Sequence, residues 1–266
     1  MILLTGATGF VGSNLMKELL KQGLQVRCLV RNPSKAEAVR QSHVEIVKGD
    51  VTDKDSIAKA LEDGKVEAAV HLVGILAETG KATFEAIHTQ GTKNMVETCK
   101  AKGIKRFIHI SALGTRENAR SKYHKTKWAA EEIIRASGLG YTIFRPSVMF
   151  GKEDKFTNLF AGIIKISPFI IIPGNGHNKM QPVSVKDIAS AMTMTVKDPR
   201  HINKVYEIGG PEKLTFDQII DAICRVLGKT RLKIHIPIWF MRPGAAIAEA
   251  ILPKPPITRD QLLMLE

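Results

Sequence analysis

Tyr123 and Lys127 stand four residues apart in a stretch of helical periodicity, so both side chains project from one face of the helix. An ammonium beside a phenol favours the phenolate. The pair therefore suits proton transfer, with the tyrosine as acid for carbonyl reduction or base for alcohol oxidation and the lysine also holding a ribose hydroxyl. A second constellation comes earlier in the chain, Thr5-Gly6-Ala7-Thr8-Gly9-Phe10-Val11-Gly12, between a strand-like run and a helical pattern. Glycines in that context allow a tight turn, a close approach of backbone to a pyrophosphate and close packing of helix on strand. The phosphates would sit at the helix start, where free amides and the macrodipole favour anions. Gly6, Thr8, Gly9, Phe10, Val11 and Gly12 are the expected contacts.

The residue after the second strand selects the nucleotide: an acid there bonds the ribose 2′-hydroxyl, and a base accommodates a 2′-phosphate. Here it is Arg31, with Lys35 close behind and no Asp or Glu between Glu18 and Glu37. NADP(H) is expected over NAD(H). Asp50 and Val51, after the third strand, are expected to flank the adenine. Leu72, Val73 and Gly74 after the fourth strand, and Ile110 in the fifth, are expected to border the cofactor further along.

These residues need a frame, and the rest of the sequence supplies one. β-branched apolar runs fall at Ile2 to Thr5, Gln25 to Val30, Val44 to Lys48, Ala68 to Val73, Arg106 to Ser111 and Tyr141 to Arg145. Helical periodicity fills the gaps near Val11 to Gln22, Asp53 to Glu62, Thr83 to Lys102 and Lys122 to Ser137. Such alternation predicts an α/β fold, a doubly wound parallel Rossmann sheet with ligand at the strands' carboxyl ends. Past Gly151 prolines interrupt the pattern, which predicts a small C-terminal substrate-side lobe. The expected division is 1–150 for the nucleotide-binding core and 151–266 for the lobe, with about 181–208 returning to the core. Within that return, short strands are expected at Val183 to Val185 and Val205 to Ile208, and a helix at Lys186 to Val196.

The chain has 266 residues and a formal charge of +13. A basic surface concentrates anionic partners, so nucleotides, nucleic acid and anionic membrane all come into question. The densest basic stretch runs from Lys100 to Lys127 and reads as a solvated face; it lacks the interleaved aromatics of a single-strand binder, and no nucleic acid is expected. The apolar segment Ile236 to Leu252, with Trp239, Phe240 and Met241, is expected to pack on the core rather than on a membrane or a partner subunit. Cys28, Cys99 and Cys224 are far apart and without metal-ligand spacing, so reduced buried thiols and no metal are expected. No leader and no membrane-spanning run is read in the sequence, and a cytoplasmic location, with peripheral membrane association as an option, is expected.

Several further segments carry a resemblance: HLVGIL from His71, IHTQGT from Ile87, HISALG from His109, YHKTK from Tyr123, RPSVMFG from Arg145 and QPVSVKDIA from Gln181. With the glycine turn they make the chain similar to the atypical, NADP-binding branch of the short-chain dehydrogenase/reductase superfamily. Within that branch it resembles the Rossmann-fold accessory subunit of respiratory complex I and its free-standing bacterial relatives. The resemblance implies that Tyr123 and Lys127 are the catalytic pair and that Pro146, Ser147 and Val148 touch the nicotinamide. It leaves Ser111 either as the carbonyl-polarising serine or without that role, and it puts His88 where extended members carry Asn. His71, His88 and His109 are read as satisfied structural groups. Three functions stay open: an oxidoreductase acting on an unknown carbonyl or quinone-like substrate, a non-catalytic NADPH-holding subunit, assembly factor or sensor of a respiratory complex, and a nucleotide-sugar epimerase or dehydratase. A monomer or dimer fits each.

Overall fold

The first apolar run forms strand β1 (Ile2–Thr5), buried at all four positions, as is usual for a strand covered by helices on both faces. The structure is a computed structural model that describes residues 1–34, 36, 41–252 and 255–265. Helix α1 (Phe10–Lys21) follows and buries Gly12, Leu15, Met16 and Leu19, the i, i+3, i+4, i+7 stripe of an amphipathic helix. Then come β2 (Val26–Val30), β3 (Val44–Lys48), α2 (Lys54–Ala60), β4 (Ala68–His71), a π-helical segment (Glu85–Gln90) running into α3 (Gly91–Ala101), β5 (Arg106–Ile110), α4 (Lys122–Arg135) and β6 (Gly140–Pro146).

By contacts the chain divides into two compact units, Met1–Pro146 with Val185–Ile208, and Ser147–Ser184 with Gly209–Glu266. The first contains a seven-stranded parallel sheet in the order β11-β6-β5-β4-β1-β2-β3. Its outermost strand β11 (Lys204–Ile208) pairs with β6, and it is reached through α6 (Val185–Thr195), which packs on α1. Strand order reverses between β1 and β4. Crossovers leave β1 in opposite directions across the sheet there, so the carboxyl ends of β1 and β4 border a crevice where ligands bind in such sheets. The doubly wound sheet is the one the alternation of runs predicts.

The second unit contains β7 (Met149–Phe150), α5 (Phe156–Ile166), β8 (Phe169–Pro173), β9 (Lys179–Met180), β10 (Val183–Ser184), β12 (Leu214–Thr215), α7 (Phe216–Val226), β13 (Leu232–Ile236), α8 (Ile238–Ile251) and α9 (Arg259–Met264). Among the described residues strands pair here in twos: β10 with β7, β12 with β9, and β13 with β8 in parallel. Its core joins Ile164, Ile170, Ile172, Phe216 and Ile220, with Phe156, Phe160 and Phe216 meeting edge to face.

Two expectations fail in instructive ways. Strand β4 stops at His71, two residues early, because Leu72 and Val73 leave the sheet to meet the glycine turn. The apolar segment from Ile236 is not packed away: Trp239 is 70% exposed and Phe240 63%, and Ala245 alone is a buried position of α8. Among the described residues no helix is long and apolar enough to cross a membrane.

Candidate functional site

Gly6 ends β1 with φ +76°, a conformation that disfavours any side chain, and a β-carbon there would meet the Leu72 and Val73 backbone at 3.2–3.3 Å. At Gly12 a β-carbon would fall 2.1 Å from the Gly6 carbonyl oxygen. Only glycine lets α1 start so close to β1. Gly9 is the extended N-cap of α1, with no side-chain cap and no acid in the first turn, so the first amides at Phe10, Val11 and Gly12 lack a capping partner from those side chains. Thr8 and Gly9 are exposed. This cradle fits a pyrophosphate: a positive helix end, first-turn amides without a side-chain cap, and no acid in the first turn of α1.

Tyr123 and Lys127 do share one face of α4, which Ser121 caps by accepting the His124 amide. Both are buried, at 8% and 3% exposure, so Lys127 does not belong to the solvated basic face read in the sequence. Its Nζ donates to the Ile110 carbonyl at 3.0 Å and lies 3.2 Å from where a Gly74 β-carbon would be. Gly74 lets the chain after β4 pass directly over the ammonium. The electrostatics run opposite to the expectation for the phenol. Burial pushes Tyr123 up to about 12; burial also lowers Lys127 to about 8, against the opposing pull of the Glu131 carboxylate. Desolvation sets the direction of both shifts.

Three buried imidazoles surround that ammonium. His88, in the π-helical segment, accepts the Ile75 amide at Nε2 (3.0 Å) and pairs through Nδ1 with Thr126 Oγ1 (3.0 Å); a neutral ring that accepts at Nε2 carries its proton on Nδ1 and donates there. Its ring meets Tyr123 edge-on at 5.3 Å. Such π-helical turns inside helices recur at functional sites. His71 pairs with Thr5 Oγ1 at 2.8 Å and stacks on His109 at 5.4 Å. His88 is satisfied as expected, whereas His71 Nε2 and both ring nitrogens of His109 have no hydrogen-bond partner among the described residues. Burial, and then the Lys127 charge, depress all three: His71 to about 3, His88 to about 2, and His109 well below its ordinary value.

This cluster makes acid lability an expected result. Each folded pKa lies below the unfolded value near 6.5, so between the two the unfolded chain binds more protons. The stability is complete above about pH 6.5 and is lost as pH falls, with a slope approaching about 1.4 kcal/mol per pH unit for each histidine. Thermal melts from neutral to mildly acidic pH should show the midpoint falling, and His109→Gln should flatten the slope. A midpoint unchanged below about pH 6 would contradict neutral burial.

The remaining candidate residues are dispersed. Ser111 is buried just past β5, and its hydroxyl donates to Thr115 Oγ1 at 3.3 Å. Arg31 is exposed immediately after β2; Lys35 lies outside the described residues. The Asp50 carboxylate accepts the amide and hydroxyl of Thr52, and Val51 packs in the core with Leu3 and Met95 while its carbonyl accepts from Asn94. Pro146 ends β6 in the first unit; Ser147 and Val148 open the second, where Ser147 Oγ accepts the Gln181 amide and the Val148 carbonyl the Val183 amide.

Glu131 went unrecognised in the sequence. It sits one turn past Lys127, fully buried, and accepts Arg145 Nε at 2.9 Å, Arg145 Nη2 at 2.7 Å and Arg135 Nη2 at 2.5 Å. Both guanidinium groups lie over the Trp128 ring. The Tyr-x-x-x-Lys-x-x-x-Glu spacing along one helix face was the signal available.

Comparison with known proteins agrees with this frame. Residues 6–199 match the NAD(P)H-binding family, and the chain belongs to that family. It is 30% identical over 262 residues to the mitochondrial NADH dehydrogenase [ubiquinone] 1 alpha subcomplex subunit 9 of Arabidopsis thaliana, covering 94% of this chain and 64% of that protein's length. It is 26% identical to a ceramide reductase of Caulobacter vibrioides, covering 94% of this chain and 77% of the reductase. Among solved structures, the NADPH complex of the quinone oxidoreductase QOR2 from Escherichia coli superposes with a TM-score of 0.80 at 20% identity, over 100% of this chain and 88% of the other. The relatives are atypical short-chain dehydrogenase-like Rossmann proteins, some of them respiratory subunits and some reductases.

Proposed function

We propose that this chain is an NADPH-dependent oxidoreductase of the atypical short-chain type, acting on a carbonyl or quinone-like substrate. The observation that carries the reading is that Lys127 and His88 lie under Gly74, just past the end of β4, and that the buried Tyr123 ring packs edge-on against His88. A bound nicotinamide supplies or accepts hydride. The chain supplies the proton and the positive charge. A phenol held near 12 stays protonated at neutral pH, as a donor to a developing alkoxide must. Lys127, poised near 8, places a positive charge beside that phenol and is the residue to hold a ribose hydroxyl. Ser111 is the candidate to polarise the carbonyl; its 3.3 Å bond to Thr115 is long enough to be exchanged for a substrate oxygen. Nucleotide binding is assigned to the first unit and the substrate-side role to the second, in a monomer or dimer on the cytoplasmic side. NADPH oxidation assayed across quinones, aldehydes and ketones tests the reading, and it fails if none is reduced by a protein that holds NADPH.

A second reading has an observation of its own. Tyr123 is only 8% exposed, which suits a cofactor held without turnover in a respiratory assembly, as an NADPH-retaining subunit or assembly factor. Under either reading NADPH is the preferred nucleotide, on the strength of Arg31 and of the missing acid after β2. Calorimetry should give tighter binding of NADPH than of NADH, with Arg31→Asp costing about 1–3 kcal/mol for NADPH alone, the worth of a charge-assisted hydrogen bond. Equal wild-type affinities would remove the basis for the preference.

A further inference from the structure

Strands β8 and β13 form a two-stranded parallel ribbon whose register pairs Phe169 with Leu232 and Ile171 with Ile234. All four of these side chains are exposed, whereas the alternate residues Ile170 and Ile172 are buried in the unit's core. A strand pair with one face on the core should show polar residues on the other. This one is apolar on its outer face, while Lys233 and His235 share the inner face with Ile170 and Ile172. Helix α8, joined to β13 by Pro237, repeats the inversion: Phe240, Ile247 and Ile251 lie exposed at i, i+7 and i+11, one stripe of the helix, with Trp239 beside its first turn.

The exposed charges around these elements are mainly basic, and the acids nearby are paired: Asp221 with Lys233, Asp217 with His235 and Glu249 with Arg259. Segments Lys155–Ser184 and Ala222–Ala248 contain eight lysines and arginines and not one Asp or Glu. Lys165 and Lys229 are exposed ahead of β8 and β13, at the same end of the parallel ribbon, and Arg242 is exposed in α8. Lys233, on the ribbon's inner face, is neutralised by Asp221 at 2.8 Å. An apolar surface edged by cations matches the interface of an anionic bilayer, where apolar side chains enter the acyl boundary, tryptophan sits at headgroup depth, and lysine and arginine meet lipid phosphates. A second copy of the chain would bring the same cations against these, in a molecule already at +13, so self-association is the poorer match.

We propose that the β8–β13 ribbon and α8 form a docking surface for anionic membrane, through which the second unit binds peripherally. The proposal stands independently of whether Tyr123 is catalytic. The test is co-sedimentation of the full chain with vesicles of phosphatidylcholine alone or mixed with phosphatidylglycerol, together with emission from Trp239 in a Trp128→Phe background, where it is the one tryptophan left. Binding is expected to the mixed vesicles only, weakened by salt, with a blue shift of Trp239. Trp239→Ser with Phe240→Ser should weaken it by about tenfold or more, with circular dichroism unchanged. Lys165→Glu with Lys229→Glu should do likewise, and Lys100→Glu with Lys102→Glu, in the first unit, should have little effect. The proposal is overturned by absence of binding to mixed vesicles, by binding that the first-unit pair controls and the Trp239 and Phe240 pair does not, or by a dimer that the same two aromatic substitutions dissociate.

Discussion

Replacing Tyr123 by Phe should lower NADPH-linked turnover by about a hundredfold or more, the scale of general acid catalysis, while NADPH affinity stays nearly unchanged. The loss should fall on kcat, because the proton is needed only as negative charge develops on the substrate oxygen. Packing gives no competing explanation, since the ring remains to meet His88 and Phe84 edge-on and only a hydroxyl is removed. Lys127→Met keeps the volume and deletes the charge, and it should impair nucleotide binding and turnover together. It should also release His71, His88 and His109 from an ammonium that depresses each of them, raising their pKa values. Equal turnover by wild type and Tyr123→Phe on a reducible substrate would remove Tyr123 from the mechanism.

The second large effect belongs to the glycine turn, where two glycines should fail differently. At Gly9 an added β-carbon would sit 3.2 Å from the Gly6 oxygen, tight yet tolerable, and the backbone is extended at φ −86°. Gly9→Val should therefore fold, but its branched side chain would crowd the amides that start α1. Each phosphate-to-amide bond lost is worth about 1.5–3 kcal/mol, so NADPH binding should fall below detection while circular dichroism stays native. Gly12→Ala would put its β-carbon 2.1 Å from the Gly6 oxygen and 2.8 Å from Ala7 Cα, so α1 must move off β1. Overpacking of this kind costs about 1–3 kcal/mol of stability, read as a lower thermal midpoint. NADPH binding that survives Gly9→Val would place the pyrophosphate elsewhere.

The sheet was legible because buried parallel strands read as runs that are mostly apolar and β-branched, and β1, β2 and β4 are buried at every position even where Arg27 and His71 interrupt them. The Tyr123 and Lys127 pair was legible for a related reason, since a four-residue spacing fixes a shared helix face. What spacing could not convey was depth. Nothing local in the sequence says that Lys127 lies under Gly74 and against the Ile110 carbonyl, so the desolvation of both groups, and with it the reversed shift of the phenol, depends on packing by β4 and β5. The same holds for Glu131, whose partner Arg145 comes from a neighbouring strand. In the second unit, exposure of Trp239 and Phe240 was misjudged because apolar composition alone does not distinguish a buried face from an outward one.

The most direct test of the oxidoreductase reading is a structure of the NADPH complex. The expected result is pyrophosphate against the amides of α1, the nicotinamide beside Lys127 and Gly74, and the C4 position open to a cavity that the Tyr123 hydroxyl reaches. A nicotinamide sealed by protein on both faces, or bound with C4 turned away from Tyr123, would contradict it and leave the nucleotide as a structural ligand.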